Sequence, residues 1–178
     1  IIDNFVFDTV YHEHLSYLSL HTVSRIFKQA GLRVFYVEEL STHGGSLRVF
    51  GCHQNDSRVT TESVNSMLSE EVSRGLQSLT TYKNFQARAN KVKDDLLSFL
   101  IEQKCVGKKV AAYGAAAKGN TLLNYASAKP DLLPFVCDAA PAKQGKYMPG
   151  SHIPIMKPEM LREVKPDVVL VLPWNITE

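Results

Sequence analysis

The stretch Val110-Ala-Ala-Tyr-Gly-Ala-Ala-Ala-Lys-Gly-Asn-Thr-Leu-Leu-Asn124 reads as a short apolar strand, a turn of small residues and then a helix over 118–127. That order aims a helix N-terminus, with its unsatisfied N–H groups and partial positive charge, at whatever anion lies beyond the strand. Gly114 and Gly119 stand at the spacing of a P-loop, yet Asn-Thr follows Gly119 and the lysine, Lys118, precedes it. A Gly-x-Gly-x-x-Gly fingerprint is also missing. By letter the motif is weak; by geometry it is a phosphate cradle, with Lys118 as a point charge and Asn120 and Thr121 as donors. A small-residue turn serving only helix–strand packing is the competing reading.

Downstream, Leu133–Cys137 and Asp167–Leu172 are further apolar runs, separated by a short helix over Pro158–Val164 with proline at its start. Strands apolar throughout and alternating with helices call for a parallel sheet covered on both faces. The fold class is therefore α/β, a three-strand Rossmann-like unit with right-handed crossovers. Asp138, just past the second run, stands where such folds place a ribose- or base-binding carboxylate, or else it only forms the following turn. The loop Lys143-Gln-Gly-Lys-Tyr-Met-Pro-Gly-Ser-His-Ile-Pro154 follows a strand's carboxyl end, where loops line ligand crevices.

Upstream, residues 61–105 contain no proline and carry strong helical periodicity, broken at Gly75, and are expected to form a helical arm. Before it, Ser19 is placed to cap a helix bearing Val23, Ile26, Phe27 and Ala30 and ending at Gly31. Leu32–Leu40 and Ser46–His53 read as strands of an antiparallel hairpin. In its loop, paired glycines expose N–H groups, and His43, Gly44 and Arg48 could face an anionic or oxygen-rich ligand; an ordinary hairpin turn is the alternative.

Five of the six histidines lie in the first 53 residues. Tyr11-His12-Glu13-His14 is poor core material. In a helical turn Tyr11 and His14 would meet at i, i+3, giving an imidazole a phenol or carboxylate to set its tautomer, as a general base needs. A merely solvated surface segment fits the letters too. The spacing is not His-Glu-x-x-His and offers no third ligand, so no metal is expected.

Composition limits the function classes. The 178 residues are 44% hydrophobic and 21% charged, which excludes disorder and low complexity. Net charge +2, from 20 basic and 18 acidic residues, leaves no basic stripe for nucleic acid. The longest apolar run, Val168–Pro173, is far short of a membrane span. Cys52, Cys105 and Cys137 are odd in number and widely spaced, implying neither a disulfide framework nor a zinc knuckle, and a reducing cytoplasm is expected. The opening Ile-Ile-Asp-Asn, inside structured-looking sequence, suggests a piece of a longer protein.

Taken together, Phe-Asp-Thr-Val-Tyr-His-Glu-His-Leu-Ser-Tyr, Thr-His-Gly-Gly-Ser-Leu-Arg-Val, Tyr-Gly-Ala-Ala-Ala-Lys-Gly-Asn-Thr-Leu-Leu-Asn-Tyr, Lys-Gln-Gly-Lys-Tyr-Met-Pro-Gly and Pro-Trp-Asn resemble the S-adenosylmethionine-dependent sugar C-methyltransferases, in order from Phe7 to Trp174. The resemblance implies three consecutive parts: a zinc domain, a class I methyltransferase domain and a Rossmann-like C-terminal domain. Residues 1–56 would be the end of the methyltransferase domain, 57–105 the arm, and 106–178 the C-terminal domain, truncated at its end. The zinc cysteines and the acidic glycine-rich loop for S-adenosylmethionine are not in this sequence. Both cofactors would therefore belong to the rest of the protein, and this fragment would not turn over alone. The resemblance further implies a nucleotide-linked keto-deoxysugar, TDP-linked by expectation, as substrate. His14 would be the base, with Tyr11 and Glu13 orienting it or bonding the sugar. His43, Gly44 and Arg48 would line the sugar pocket; Gly114, Lys118, Gly119, Asn120 and Asp138 would hold the nucleotide. Two other readings are a non-catalytic scaffold or dimerisation module and a nicotinamide-dependent oxidoreductase, the latter disfavoured by the absent fingerprint.

Overall fold

The computed structural model describes residues 6–42 and 45–174. They form two units, one of residues 16–85 and one that joins the N-terminal segment up to Leu15 with the chain from Gln86 onward.

In the unit of residues 16–85, helix α1 (Leu20–Gln29) starts where Ser19 accepts a hydrogen bond from Thr22 N, and Gly31 at φ +72° turns the chain out of it. Strands β1 (Leu32–Leu40) and β2 (Ser46–His53) pair antiparallel from Leu32↔His53 to Leu40↔Ser46, with a bulge between Val34 and Tyr36. Helices α2 (Glu62–Ser73) and α3 (Leu79–Lys83) follow. Leu20, Val34, Val37 and Val64 are the buried centre, with Phe27, Val49, Met67 and Leu68 packed around them. The buried Glu71 carboxylate accepts from Leu20 N at 2.6 Å and His21 N at 2.9 Å, so α2 supplies the anion for the first turn of α1.

The other unit is an α/β layer. Helix α4 (Phe85–Cys105) leads into β3 (Val110–Tyr113), α5 (Ala117–Tyr125), β4 (Val136–Cys137), β5 (Ile155–Met156), α6 (Glu159–Val164) and β6 (Val168–Val171). The four strands are parallel in the order β5-β4-β3-β6, flanked by helices. The direction of winding therefore reverses at β3, the topological switch point of a Rossmann-like sheet. Ala111 and Ala112 on β3 are fully buried, and Leu100, Leu123, Leu133, Val136, Met148 and Ile153 fill the core.

Two expectations change. The sheet has four strands rather than three: Ile155–Met156 is too short to show a period and follows Pro154, so it hid in the crevice loop. The periodic stretch after Gly75 is two helices, because α3 ends at Lys83 with Asn84 as its C-cap and α4 begins at Phe85. In α4, Leu96, Phe99 and Leu100 pack into the sheet's core. No described helix is long and apolar enough to cross a membrane.

Candidate functional site

Strand β3 ends at Tyr113, and Gly114, at φ +93°, turns the chain toward α5. Gly114 in the turn and Gly119 in α5 are both needed for close packing. A Cβ on Gly114 would stand 2.4 Å from Cδ of Pro173, and one on Gly119 2.7 Å from Cβ of Leu172. The switch point between the ends of β3 and β6 is thus filled by protein. What stays open is the first turn of α5: Ala116 is its N-cap, and no side chain caps it.

Asp138, directly after β4, is a strut of this turn. Its Oδ2 accepts from Ala115 N at 2.7 Å and Lys143 Nζ at 3.0 Å, and its Oδ1 from Ala140 N at 2.8 Å. Lys143 Nζ also donates to Ala115 O at 2.9 Å. Burial opposes the charge on Asp138, but the Ala140 N–H, the Lys143 ammonium and the Ala115 N–H outweigh it and hold the carboxyl below its ordinary range. The three polar partners leave Asp138 committed to the protein.

Beside the open turn lies a cavity of about 340 Å³. Ala115–Ala117, Asn120 and Thr121 form one side, Lys143, Lys146, Tyr147 and Met148 another, and Tyr11 and His12 a third. Asn120 Oδ1 is buried without a hydrogen-bond partner, which suits a site completed by a ligand donor.

The Tyr11–His14 segment reaches this cavity through a 3-10 turn at Phe7–Thr9 that packs on α5, with the Phe7 ring edge-on to Tyr125 at 5.4 Å. His14 N donates to Tyr11 O at 2.9 Å, and the two rings lie 4.1 Å apart, the i, i+3 meeting expected of a turn. His14 Nδ1 is 2.9 Å from Thr9 O. A carbonyl only accepts, so Nδ1 carries the proton and Nε2 is the basic nitrogen. His12 Nε2 is 3.6 Å from the exposed carboxylate of Glu13.

The expected site residues thus fall into groups. Tyr11, His14 and Glu13 share one turn, and Tyr11 lines the same cavity as Asn120. Gly114, Gly119 and Asp138 shape the turn beside it. Lys118 is buried, its ammonium 4.5 Å from the centroid of the Trp174 ring, rather than on the cavity wall. Arg48 belongs to the other unit, where it donates to Glu38 Oε1 at 2.7 Å across the hairpin. His43 and Gly44 lie outside the described residues. Lys143, Lys146 and Tyr147 line the cavity from the loop expected to line a crevice, and no motif in the sequence singles them out. Asp8 and Trp174 are joined by a hydrogen bond that the sequence does not announce; the lone acid in the run Val-Phe-Asp-Thr-Val is the available signal for Asp8. Among the described residues no group of three or more His, Cys, Asp and Glu side chains is fit to hold a metal ion.

The uncapped start of α5, the Lys143 and Lys146 side chains, and Tyr11 and His12 meet at one cavity of the Rossmann-like sheet, while His14, in the same turn as Tyr11, is exposed and is not among the residues lining it. The chain belongs to the family described as the C-methyltransferase C-terminal domain, whose model matches residues 41–178. It is similar to the C-methyltransferase NovU of Streptomyces niveus, with 38% identity over 175 residues, which are 98% of this chain and 42% of that relative. The chain therefore spans less than half the length of that protein.

Proposed function

We propose that this chain is the C-terminal part of an S-adenosylmethionine-dependent C-methyltransferase whose substrate is a nucleotide-linked keto-deoxysugar. The observation that carries the reading is the single cavity with Tyr11 and His12 on one side and the start of α5, Lys143 and Lys146 on the others. A sugar joined to a nucleoside diphosphate has the matching parts: a diphosphate for helix N–H groups and lysines, and a ring within reach of the histidine turn.

The described residues do not fit a site for the methyl donor. The turn after β3 is not acidic, Pro173 and Leu172 occupy the space beside Gly114 and Gly119, and the described sheet of the other unit is a two-stranded hairpin. S-adenosylmethionine, which supplies the methyl group, is assigned to the part of the protein outside this chain, as is any structural zinc.

This chain contributes the proton transfer. A carbon beside a ketone becomes nucleophilic when its C–H proton is removed and the electron pair moves onto the carbonyl oxygen as an enolate. His14 Nε2 accepts that proton, and Thr9 O, accepting from Nδ1–H, stabilises the imidazolium that results. Tyr11, stacked on His14, keeps the ring oriented, and its phenol is a donor for the sugar or the enolate oxygen. Glu13 supports the same turn from its exposed side. Asn120, Lys143 and Lys146 face the nucleotide, while Gly114, Lys118, Gly119 and Asp138 give the cradle its shape. His43, Gly44 and Arg48 are assigned to the sugar side of the assembled enzyme.

Adding TDP to the chain and following its melting temperature tests the clamp. At 100-fold over the dissociation constant, binding stabilises by about 2.7 kcal/mol, a shift of several degrees. No shift at millimolar TDP overturns the clamp and favours a scaffold. His14→Asn in the full-length enzyme is expected to lower turnover by about 10²–10⁴ while leaving nucleotide affinity unchanged; wild-type turnover overturns the base assignment.

A further inference from the structure

Asp8, Trp174 and Lys118 take no part in the chemistry above, yet two of them are charged side chains only 7% exposed. Buried charges persist where they are paired or hydrogen-bonded. Here the indole of Trp174 lies between them: its Nε1–H donates to Asp8 Oδ2 at 2.8 Å, and the Lys118 ammonium sits 4.5 Å from its ring centroid. One aromatic ring thereby ties together α5, the chain just past β6 and the 3-10 turn at Phe7–Thr9.

We infer that Asp8 and Trp174, with Lys118 behind the indole, are positioning residues that seat the histidine turn and hold His14 in its Nδ1–H tautomer. The connection is short. Asp8 is followed by Thr9, whose carbonyl accepts from His14 Nδ1 at 2.9 Å and whose hydroxyl donates to Val6 O at 2.8 Å. Moving Asp8 moves that carbonyl, and an imidazole that loses this acceptor is released to place its proton on Nε2, so that this nitrogen no longer acts as a base. The ring contact of Phe7 with Tyr125 is a second peg on the same turn, but it carries no hydrogen bond and no charge. The inference rests on the reading of His14 as the base only for its catalytic meaning; the seating itself is a property of this chain.

The test is nitrogen NMR of the His14 imidazole in the ¹⁵N-labelled chain, assigned by comparison with His14→Asn. In the unmodified chain the Nδ1–H form is expected to dominate. Asp8→Ala and Trp174→Phe are each expected to lower the ratio of Nδ1–H to Nε2–H by about tenfold, the worth of one hydrogen bond. Asp8→Asn, which keeps an acceptor for the indole, is expected to restore most of that ratio, a rescue that packing alone would not produce. Lys118→Met removes the cation without touching the Asp8 bond, and supplies the test if Trp174→Phe fails to fold; a fall of at least twofold is expected. An unchanged tautomer ratio in folded Asp8→Ala and Lys118→Met overturns the inference. A full-length His14→Asn enzyme that still turns over, together with the expected tautomer changes, overturns the base assignment and leaves the seating intact.

Discussion

Gly114→Ala puts a single methyl group into the junction of β3, α5 and the end of β6. Two costs add there. Gly114 has φ +93°, and an L-residue held at positive φ costs about 1–2 kcal/mol. The new Cβ would also stand 2.4 Å from Cδ and 2.6 Å from Cγ of Pro173. That neighbour is a closed ring rather than the far end of a flexible side chain, so relief requires backbone movement, an overpacking cost of about 1–3 kcal/mol. The sum, about 2–5 kcal/mol, corresponds to at least about 8 °C in the melting temperature of a unit of this size. Gly107→Ala is the matched control: φ is +73°, but nothing lies within 4 Å of its Cβ, so only the conformational cost applies. Thermal and denaturant unfolding of the two variants therefore isolates the Pro173 contact as their difference, and Pro173→Ala in the Gly114→Ala background is expected to recover most of it. Equal destabilisation by the two alanines, within about 0.5 kcal/mol, would show that Gly114 answers to backbone conformation alone and that the switch point has room.

Asp138→Asn is expected to destabilise the α/β unit by about 1–3 kcal/mol at neutral pH, by weakening the bonds from Lys143, Ala115 and Ala140. Because the folded carboxyl titrates below its unfolded value of about 3.9, its stabilisation is complete above that pH and fades as pH falls through the folded value. Denaturant titrations of the two proteins should accordingly converge as the pH falls below the ordinary carboxylate range, and a gap that stays constant with pH would remove the charge from the explanation. Glu71→Ala leaves Leu20 N and His21 N without their acceptor and is expected to cost the unit of residues 16–85 about 2–4 kcal/mol, with Glu71→Gln costing less. Circular dichroism melts decide it, and an unchanged Glu71→Ala would mean that water replaces the carboxylate.

Local signals in the sequence were sufficient wherever one side chain decides a local geometry. Ser19 capped α1 as its chemistry required, and the two strands of the hairpin run over the residues that their β-branched and aromatic content marked, Leu32–Leu40 and Ser46–His53. The strand–turn–helix at Val110–Tyr125 was visible for the same reason. Where pairing across the fold decides, the letters were silent. Ile155–Met156 is a strand because Val136 and Cys137 are beside it, not because of its own pattern. Lys118 reads as a phosphate ligand until Trp174, 56 positions later, is seen beneath its ammonium. Asp138 reads as a ligand carboxylate until three protein donors are found on it. The meeting of Tyr11 and His14 at i, i+3 was readable from their spacing, but the His14 tautomer depends on Thr9 O, which no residue type announces. The roles proposed for Tyr11, Glu13 and His14 are what the family resemblance implies; the arrangement of the residues around them came from the structure.

The α/β unit is assembled from two stretches, the one ending at Leu15 and the one starting at Gln86, with seventy residues of another unit threaded between them. During synthesis the histidine-bearing piece leaves the ribosome long before α5 and Trp174 exist to receive it. A gene fragment that begins at Gln86 would make a sheet whose Tyr125 and Trp174 face solvent, and a synthetic peptide carrying Phe7-Asp-Thr-Val-Tyr-His-Glu-His14 would be its natural complement, so the two could be mixed as a split protein.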